Sequence, residues 1–325
     1  MDMVHSFVFA EGKLVERDMD LSTVPMLLKD EGVHVWIDMQ DPTPEESKRV
    51  LEGIFQFHPL AIEDCLAPSQ LPKVEEYDGY LFMVIHAVDF NRKDEHFRTE
   101  ELNLFLGKNF LVTWHRENLK SIQAALDRCG KTTQSARGSD RVAHSILDAL
   151  VDSYLPVLHE FGDDVNEVEA LVLEGDSNPT TMNRVVQLKK EVIYLCQIIR
   201  PQRDVLGRIA RGEFKLIRTQ LLPYYRDVCD HLGRYNEMAE TSRDSLNGTM
   251  QLYLSMSTKQ TSEVMKVLTL ITVISTPMSV VSSWYGMNFK DMPEINSPHG
   301  YYVAVLLTLF ATFACFIYFR RKRWM

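Results

Sequence analysis

The chain has 325 residues, with 35 basic against 45 acidic side chains and a net charge of −10, and 45% of it is apolar. That balance excludes nucleic acid as the primary partner, because phosphate backbones are held by basic surfaces. Its five cysteines, Cys65, Cys129, Cys196, Cys229 and Cys315, are scattered without a Cys-x-x-Cys pair, which excludes a disulfide framework and a thiolate zinc site.

Met1 to Ala10 carries Asp2 and no basic stretch ahead of an apolar run, so no signal peptide is expected and the polar part is expected in the cytoplasm. The first third mixes short strands and helices. His34–Met39 and Tyr80–Val88 alternate as strands do, and Leu102–Leu106 with Phe110–Trp114 reads as a hairpin across Gly107-Lys108-Asn109. Thr43-Pro44-Glu45-Glu46 is a capping box with proline at the first helical position, and His58–Leu66 reads as a short helix.

The remainder is helical in pattern. From Ser139, the expected N-cap, Ala143, Ile146, Leu147, Leu150, Tyr154, Leu158 and Phe161 mark one face. A partner helix from Thr180 carries Val185, Leu188, Val192, Leu195 and Ile199, and Pro201 is expected to kink or end it. Glu174–Pro179 turns between them, which makes a helical hairpin. A third helix is expected from Pro223 and Tyr224, with no proline before Pro277; continuous to Tyr285 it is roughly 90 Å long. Asn247-Gly248 opposes that continuity, but Leu246, Met250, Tyr253, Leu254 and Met256 sustain an apolar face across it.

Val267–Tyr285 and Tyr301–Phe319 contain no charged residue, and each spans about 28 Å as a helix, close to the ~30 Å hydrocarbon core of a bilayer. Buried core helices are the alternative, and little chain remains to cover them. Arg320, Arg321, Lys322 and Arg323 follow the second segment and Lys259 and Lys266 precede the first, whereas the loop between them holds only Lys290. Both ends are therefore expected on the cytoplasmic side. Down the first segment Thr269, Thr272, Thr276, Ser279 and Ser283 recur at alternating three and four, on one helical face. That face suits either helix packing or a water-filled path. The second segment lacks such a stripe and reads as the lipid-facing partner. Two helices cannot enclose a pore, so a transporting form has to be an oligomer.

Gly286 is expected to end the first membrane helix in the left-handed cap conformation. Asn288 then offers a neutral amide oxygen at the outer mouth, suited to Mg²⁺, which gives up its waters reluctantly. The sequence Tyr285-Gly286-Met287-Asn288-Phe289, then Met292-Pro293-Glu294, a final apolar segment and Arg-Arg-Lys-Arg-Trp-Met resembles the CorA family of magnesium transporters. The likeness extends through Glu263–Thr269, Pro223–Val228 and His58–Asp64 and covers nearly the whole chain.

The resemblance implies a funnel-shaped homopentamer with an α/β/α cytoplasmic domain and a stalk helix running into the pore, an α+β membrane protein. It implies that Gly286, Met287 and Asn288 form a selectivity filter for hydrated Mg²⁺, with Co²⁺ and Ni²⁺ often carried as well, and no organic cofactor. Pore-lining family positions fall on Ser279, Thr276, Leu268, Met265 and Ser262, to which the stripe itself adds Thr272. The resemblance makes Leu268 and Met265 the expected hydrophobic constriction. Thr276 stands where the family often has methionine. Arg320–Arg323 match the basic collar, and also serve as a positive-inside anchor.

In the family, intracellular Mg²⁺ binds between neighbouring cytoplasmic domains and closes the path. Asp227 matches one acidic member of that sensor; the facing position is Asn91, with Asp89 two residues before it, and Gln251 stands where many relatives place aspartate. The expected organisation is a cytoplasmic α/β domain with the hairpin over 1–222, a stalk over 223–266, transmembrane helices over 267–285 and 301–319 around an external loop over 286–300, and a basic tail over 320–325. A zinc carrier of the related ZntB type is the alternative within transport. A membrane-anchored enzyme or receptor is the other, although no phosphate loop, His-Glu-x-x-His motif or nucleophile elbow occurs. For that reading His58, Glu63 and Asp64 are the imaginable metal ligands.

Overall fold

Strands of alternating apolar and polar residues assemble into one mixed sheet in a computed structural model that describes residues 4–30, 32–67, 71–91, 96–131, 137–175, 178–287, 297–322 and 324, without side chains at 89–91, 96–97 and 130–131. The strands are β1 (Val4–Ala10), β2 (Lys13–Arg17), β3 (Val33–Gln40), β4 (Lys73–Tyr77), β5 (Tyr80–Asn91), β6 (His96–Gly107) and β7 (Phe110–His115), in the order β2-β1-β3-β7-β6-β5-β4. Among the described residues only β3 and β7 pair in parallel. The β6–β7 hairpin turns where expected, and Gly107 is required there because any Cβ would meet the Phe110 ring.

Helices α1 (Val24–Leu27), α2 (Pro44–Ser47) and α3 (Pro59–Leu66) cover one face of the sheet. Phe57 packs there, stacked on Phe105 at 4.2 Å between ring centroids. The alternate strand residues, among them Trp36, Leu81, Met83 and Leu104, are equally buried on the other face. Helices α4 (Lys120–Lys131), α5 (Ser139–Asp152), α6 (Tyr154–Leu173) and α7 (Pro179–Ala210) follow, and α5, α6 and α7 pack on the strands. The capping box at Thr43 is complete, with its hydroxyl accepting from Glu46 N–H and Glu46 accepting from Thr43 N–H.

A buried polar chain joins β3 to β7. Trp36 Nε1 donates to Thr113 Oγ1 at 2.9 Å, and Thr113 donates to Asp38 Oδ1 at 2.5 Å. His115 Nε2 lies 3.1 Å from the same carboxylate oxygen, and its Nδ1 lies 2.6 Å from the Glu117 carbonyl. Burial opposes protonation of His115, but the Asp38 carboxylate and the Glu117 carbonyl outweigh it and lift its pKa.

Three local expectations are corrected. Ser139 is not the N-cap: Gly138 is, with φ of 106°, and Ser139 donates instead to the Gly107 carbonyl at 2.6 Å. The apolar face from Ala143 to Phe161 is divided between α5 and α6 at Ser153, which puts Pro156 in a first turn, where proline is tolerated. Of the kink or end expected at Pro201, the end does not occur, since α7 runs to Ala210. An interior proline costs about 3 kcal/mol. Burial of Gln202, Val205, Leu206 and Ile209 beyond it offsets that, and Gln202 Oε1 accepts the His86 N–H at 2.9 Å.

Helix α8 (Leu222–Tyr285) is a single helix of 64 residues that passes through Gly248 and Pro277. The chain divides into two compact units, one of Met1–Glu174 with Asn178–Thr249 and the other chiefly Met250–Met325. In the first unit α8 buries Tyr225, Val228, Leu232, Tyr235, Ala239 and Leu246 at alternating three and four, with a break of seven, so this part of the expected stalk belongs to the folded core. The second unit contains the rest of α8 and α9 (Gly300–Arg321). Both helices are long and apolar enough to cross a membrane, and the most apolar 18-residue stretch of each is only 6% buried within the chain, unlike a core helix.

Candidate functional site

The hydroxyl stripe of α8 has a definite hydrogen-bond polarity. Thr269 Oγ1 donates to the Met265 carbonyl, Thr272 to Leu268 and Thr276 to Thr272, each at 2.8 Å. Ser275, which the stripe did not include, donates to Ile271 at 2.5 Å. Each such proton is engaged by the helix itself, so the oxygen presents only lone pairs sideways. The threonines of this face are therefore acceptors. Ser262 and Ser279 are exposed and have no hydrogen-bond partner among the described residues. Leu268 and Met265, expected at the constriction, are each 56% exposed in the single chain.

At its end the helix tightens. Gly286 N–H donates to Ser282 at 2.9 Å and Met287 N–H to Trp284 at 3.4 Å. Gly286 is not in the left-handed region, contrary to expectation. Glycine is required there for another reason: a Cβ would stand 2.9 Å from the Ser282 carbonyl oxygen, closer than side chains approach. Asn288 lies outside the described residues.

Of the basic tail, Arg320 and Arg321 occupy the last turn of α9, Lys322 is its C-cap, and Arg323 lies outside the described residues. Trp324 is a further residue at this end of the chain. Its N–H donates to the Phe319 carbonyl at 3.1 Å and its ring lies 5.6 Å from that of Phe319. Together with Ser257, Thr261, Ser262 and Met265 of α8 it lines a cavity of about 450 Å³. The available signal was an aromatic residue directly after a basic cluster, the usual composition of an interfacial anchor.

In the first unit Asp227 is exposed, with Oδ2 3.8 Å from His231 Nε2, while His231 Nδ1 is 3.9 Å from Asp152 Oδ1. Burial, then Asp148, raises the pKa of Asp152, and Asp227 adds to the effect. Asp89 stands on β5 opposite Arg98, its side chain outside the description, as is that of Asn91. His58 caps α3 by accepting from Leu60 N–H at 3.2 Å, and Asp64 pairs with Lys73. Among the described residues no three His, Cys, Asp or Glu side chains come together to hold a metal ion.

Residues 31–321 match the family model described as CorA-like Mg2+ transporter protein. The chain belongs to the CorA family. It is 32% identical over 303 residues to the cobalt/magnesium transport protein CorA of Thermotoga maritima, covering 91% of this chain and 85% of that one. The complete structure of the CorA magnesium transporter from Methanocaldococcus jannaschii shares the fold, with a TM-score of 0.81 at 24% identity over 98% of both chains. A cytoplasmic domain of ZntB from Vibrio parahaemolyticus aligns over 70% of this chain and 88% of its own, with a TM-score of 0.58 at 15% identity, a likeness of fold only. CorA proteins are ion transporters rather than enzymes, and the CorA fold accounts for the soluble α/β unit and the long helix leading to two apolar C-terminal helices.

Proposed function

We propose that the chain is one subunit of a homopentameric, passive, channel-like pathway that carries Mg²⁺, and also Co²⁺ and Ni²⁺, across the cytoplasmic membrane. The observation that carries this reading is the row of threonine acceptors on α8. A hydrated cation turns its water protons outward, and it meets oxygens whose own protons are already committed to the helix. An anion gains no donor from Thr272 or Thr276.

In this reading Gly286, Met287 and Asn288 form the outer filter; Ser279, Thr276, Thr272 and Ser262 line the path. Leu268 and Met265 close it by excluding water. Asp227 of one copy and Asp89 of its neighbour sense intracellular Mg²⁺ and favour the closed state. Arg320, Arg321, Lys322 and Arg323 form a basic collar at the cytoplasmic mouth, with both termini on that side. Helix α9 faces lipid, and its hydropathy, higher than that of α8, supports this.

The test is flux into proteoliposomes across Mg²⁺, Co²⁺, Ni²⁺ and Zn²⁺. Passage of Mg²⁺ without a proton gradient is expected. Passage of Zn²⁺ with none of the other three would overturn the assignment in favour of a ZntB-type carrier.

A further inference from the structure

In the first unit, a cavity of about 580 Å³ reverses the sign of the chain's net charge. Its lining includes Lys29 after α1, His34 on β3, Lys108 in the β6–β7 turn, Asp140 at the start of α5, and Lys215 with Arg218 ahead of α8. Four fixed cations thus surround one carboxylate.

That carboxylate is already spent. Arg218 Nε reaches Asp140 Oδ2 at 2.8 Å and Nη2 reaches Oδ1 at 2.5 Å, while Arg218 N–H donates to Oδ2 at 3.1 Å. Arg218 also donates to the Arg137 carbonyl, so the guanidinium is held in place before any ligand arrives. Lys29 and Lys215 are exposed and have no hydrogen-bond or ion-pair partner among the described residues. The ring Nδ1 of His34 is shielded from solvent and likewise lacks a partner. Burial first, then Arg218, holds His34 below its ordinary pKa, against a smaller opposing pull from Asp140. The N-terminus of α5, a helix of 14 residues, opens on the same cavity at Gly138 and adds its partial positive charge.

The cavity is larger than a single phosphate requires and falls in the range that encloses small ligands. Its cations converge on a hollow rather than line a stripe, which fits a compact polyanion and not a nucleic-acid backbone. We propose that this cavity binds a soluble phosphate polyanion of the di- or triphosphate class, held between Lys29, Lys215 and Arg218. Such anions are also ligands of Mg²⁺. Occupancy would couple the soluble unit to the species that competes for the proposed cargo, but the binding itself does not depend on transport.

The test is titration calorimetry on the full chain in detergent, in metal-free buffer with EDTA so that chelation by the anion plays no part. The probes are inorganic pyrophosphate and ATP, with sulfate as control, and nanodiscs containing phosphatidic acid as a separate arm. Saturable binding of pyrophosphate, with or without ATP, is expected. The Lys29→Gln, Lys215→Gln double variant should weaken it by about tenfold. Both lysines are exposed, so the variant's unfolding temperature without ligand should not change. Four results overturn the proposal: no saturation at millimolar pyrophosphate, equal binding of sulfate, response to phosphatidic acid alone, or full affinity in the double variant.

Discussion

The Thr272 hydroxyl donates to the Leu268 carbonyl one turn below it, at 2.8 Å. A residue proposed to line the path is thus bonded to the backbone of one proposed to close it. Valine has the shape of threonine without the oxygen. Thr272→Val should therefore leave the helix intact and remove one acceptor per subunit. At about 1 kcal/mol per lost hydrogen bond, Mg²⁺ flux into proteoliposomes should fall about fivefold. Flux equal to that of the parent would take Thr272 out of the path.

Asn288→Ala should abolish Mg²⁺ uptake while the oligomer still elutes at its normal size. Size-exclusion chromatography beside the flux assay separates lost conduction from lost assembly. Retained uptake would remove the amide from the filter.

Asp227 is exposed and only 3.8 Å from His231, so little in its own chain holds it. Asp227→Ala should cost little stability but reduce the protection that millimolar Mg²⁺ gives against protease. An identical digestion pattern with and without the substitution would count against a sensor at this position.

His86 gives the soluble unit an acid limit. Its side chain is 6% exposed, Nδ1 has no partner, and burial pushes its pKa from 6.5 down to about 4. The folded pKa lies below the unfolded one, so the unfolded chain binds the proton first. Stability is full above the unfolded value and declines as pH falls through it towards 4, by about 3 kcal/mol over the window. His115 acts oppositely: its pKa is raised, so its contribution is complete below the unfolded value and fades as pH rises through the folded one. In thermal unfolding against pH, His86→Leu should flatten the acid limb. An acid limb unchanged in slope would exclude His86 as its source.

Gly248 sits inside α8 with nothing within 4 Å of where a Cβ would be. Gly248→Ala should stabilise the helix by about 0.5–1 kcal/mol, read as a higher unfolding temperature. A lower one would mean that the site needs glycine for close approach in the assembled protein.

Much of this was legible in the chain because local signals and burial agreed. The Gly107 turn, the Thr43 cap and the apolar faces of α7 and α8 each combine a backbone preference with a packing one. Asn247-Gly248 was readable as helix only because Leu246 and its successors kept the period. Where the two signals conflicted, local preference misled. Pro201 argues for a stop, yet the burial of Val205, Leu206 and Ile209 overrides it. Gly286 suggested a left-handed cap, whereas the requirement is clearance beside a carbonyl oxygen, which no sequence pattern reveals. The basic cavity was invisible for a similar reason: Lys29, Lys108 and Lys215 are far apart in sequence and only the loops bring them together.

Pro277 in the middle of the apolar stretch of α8 has no N–H to give. The carbonyl of Val273, one turn earlier, is thereby deprived of its helical donor. Surrounded by acyl chains, such an oxygen costs several kcal/mol. An isolated subunit in a bilayer therefore leaves this oxygen to be met by water, a nearby hydroxyl or a neighbouring chain, which favours association over solitary insertion.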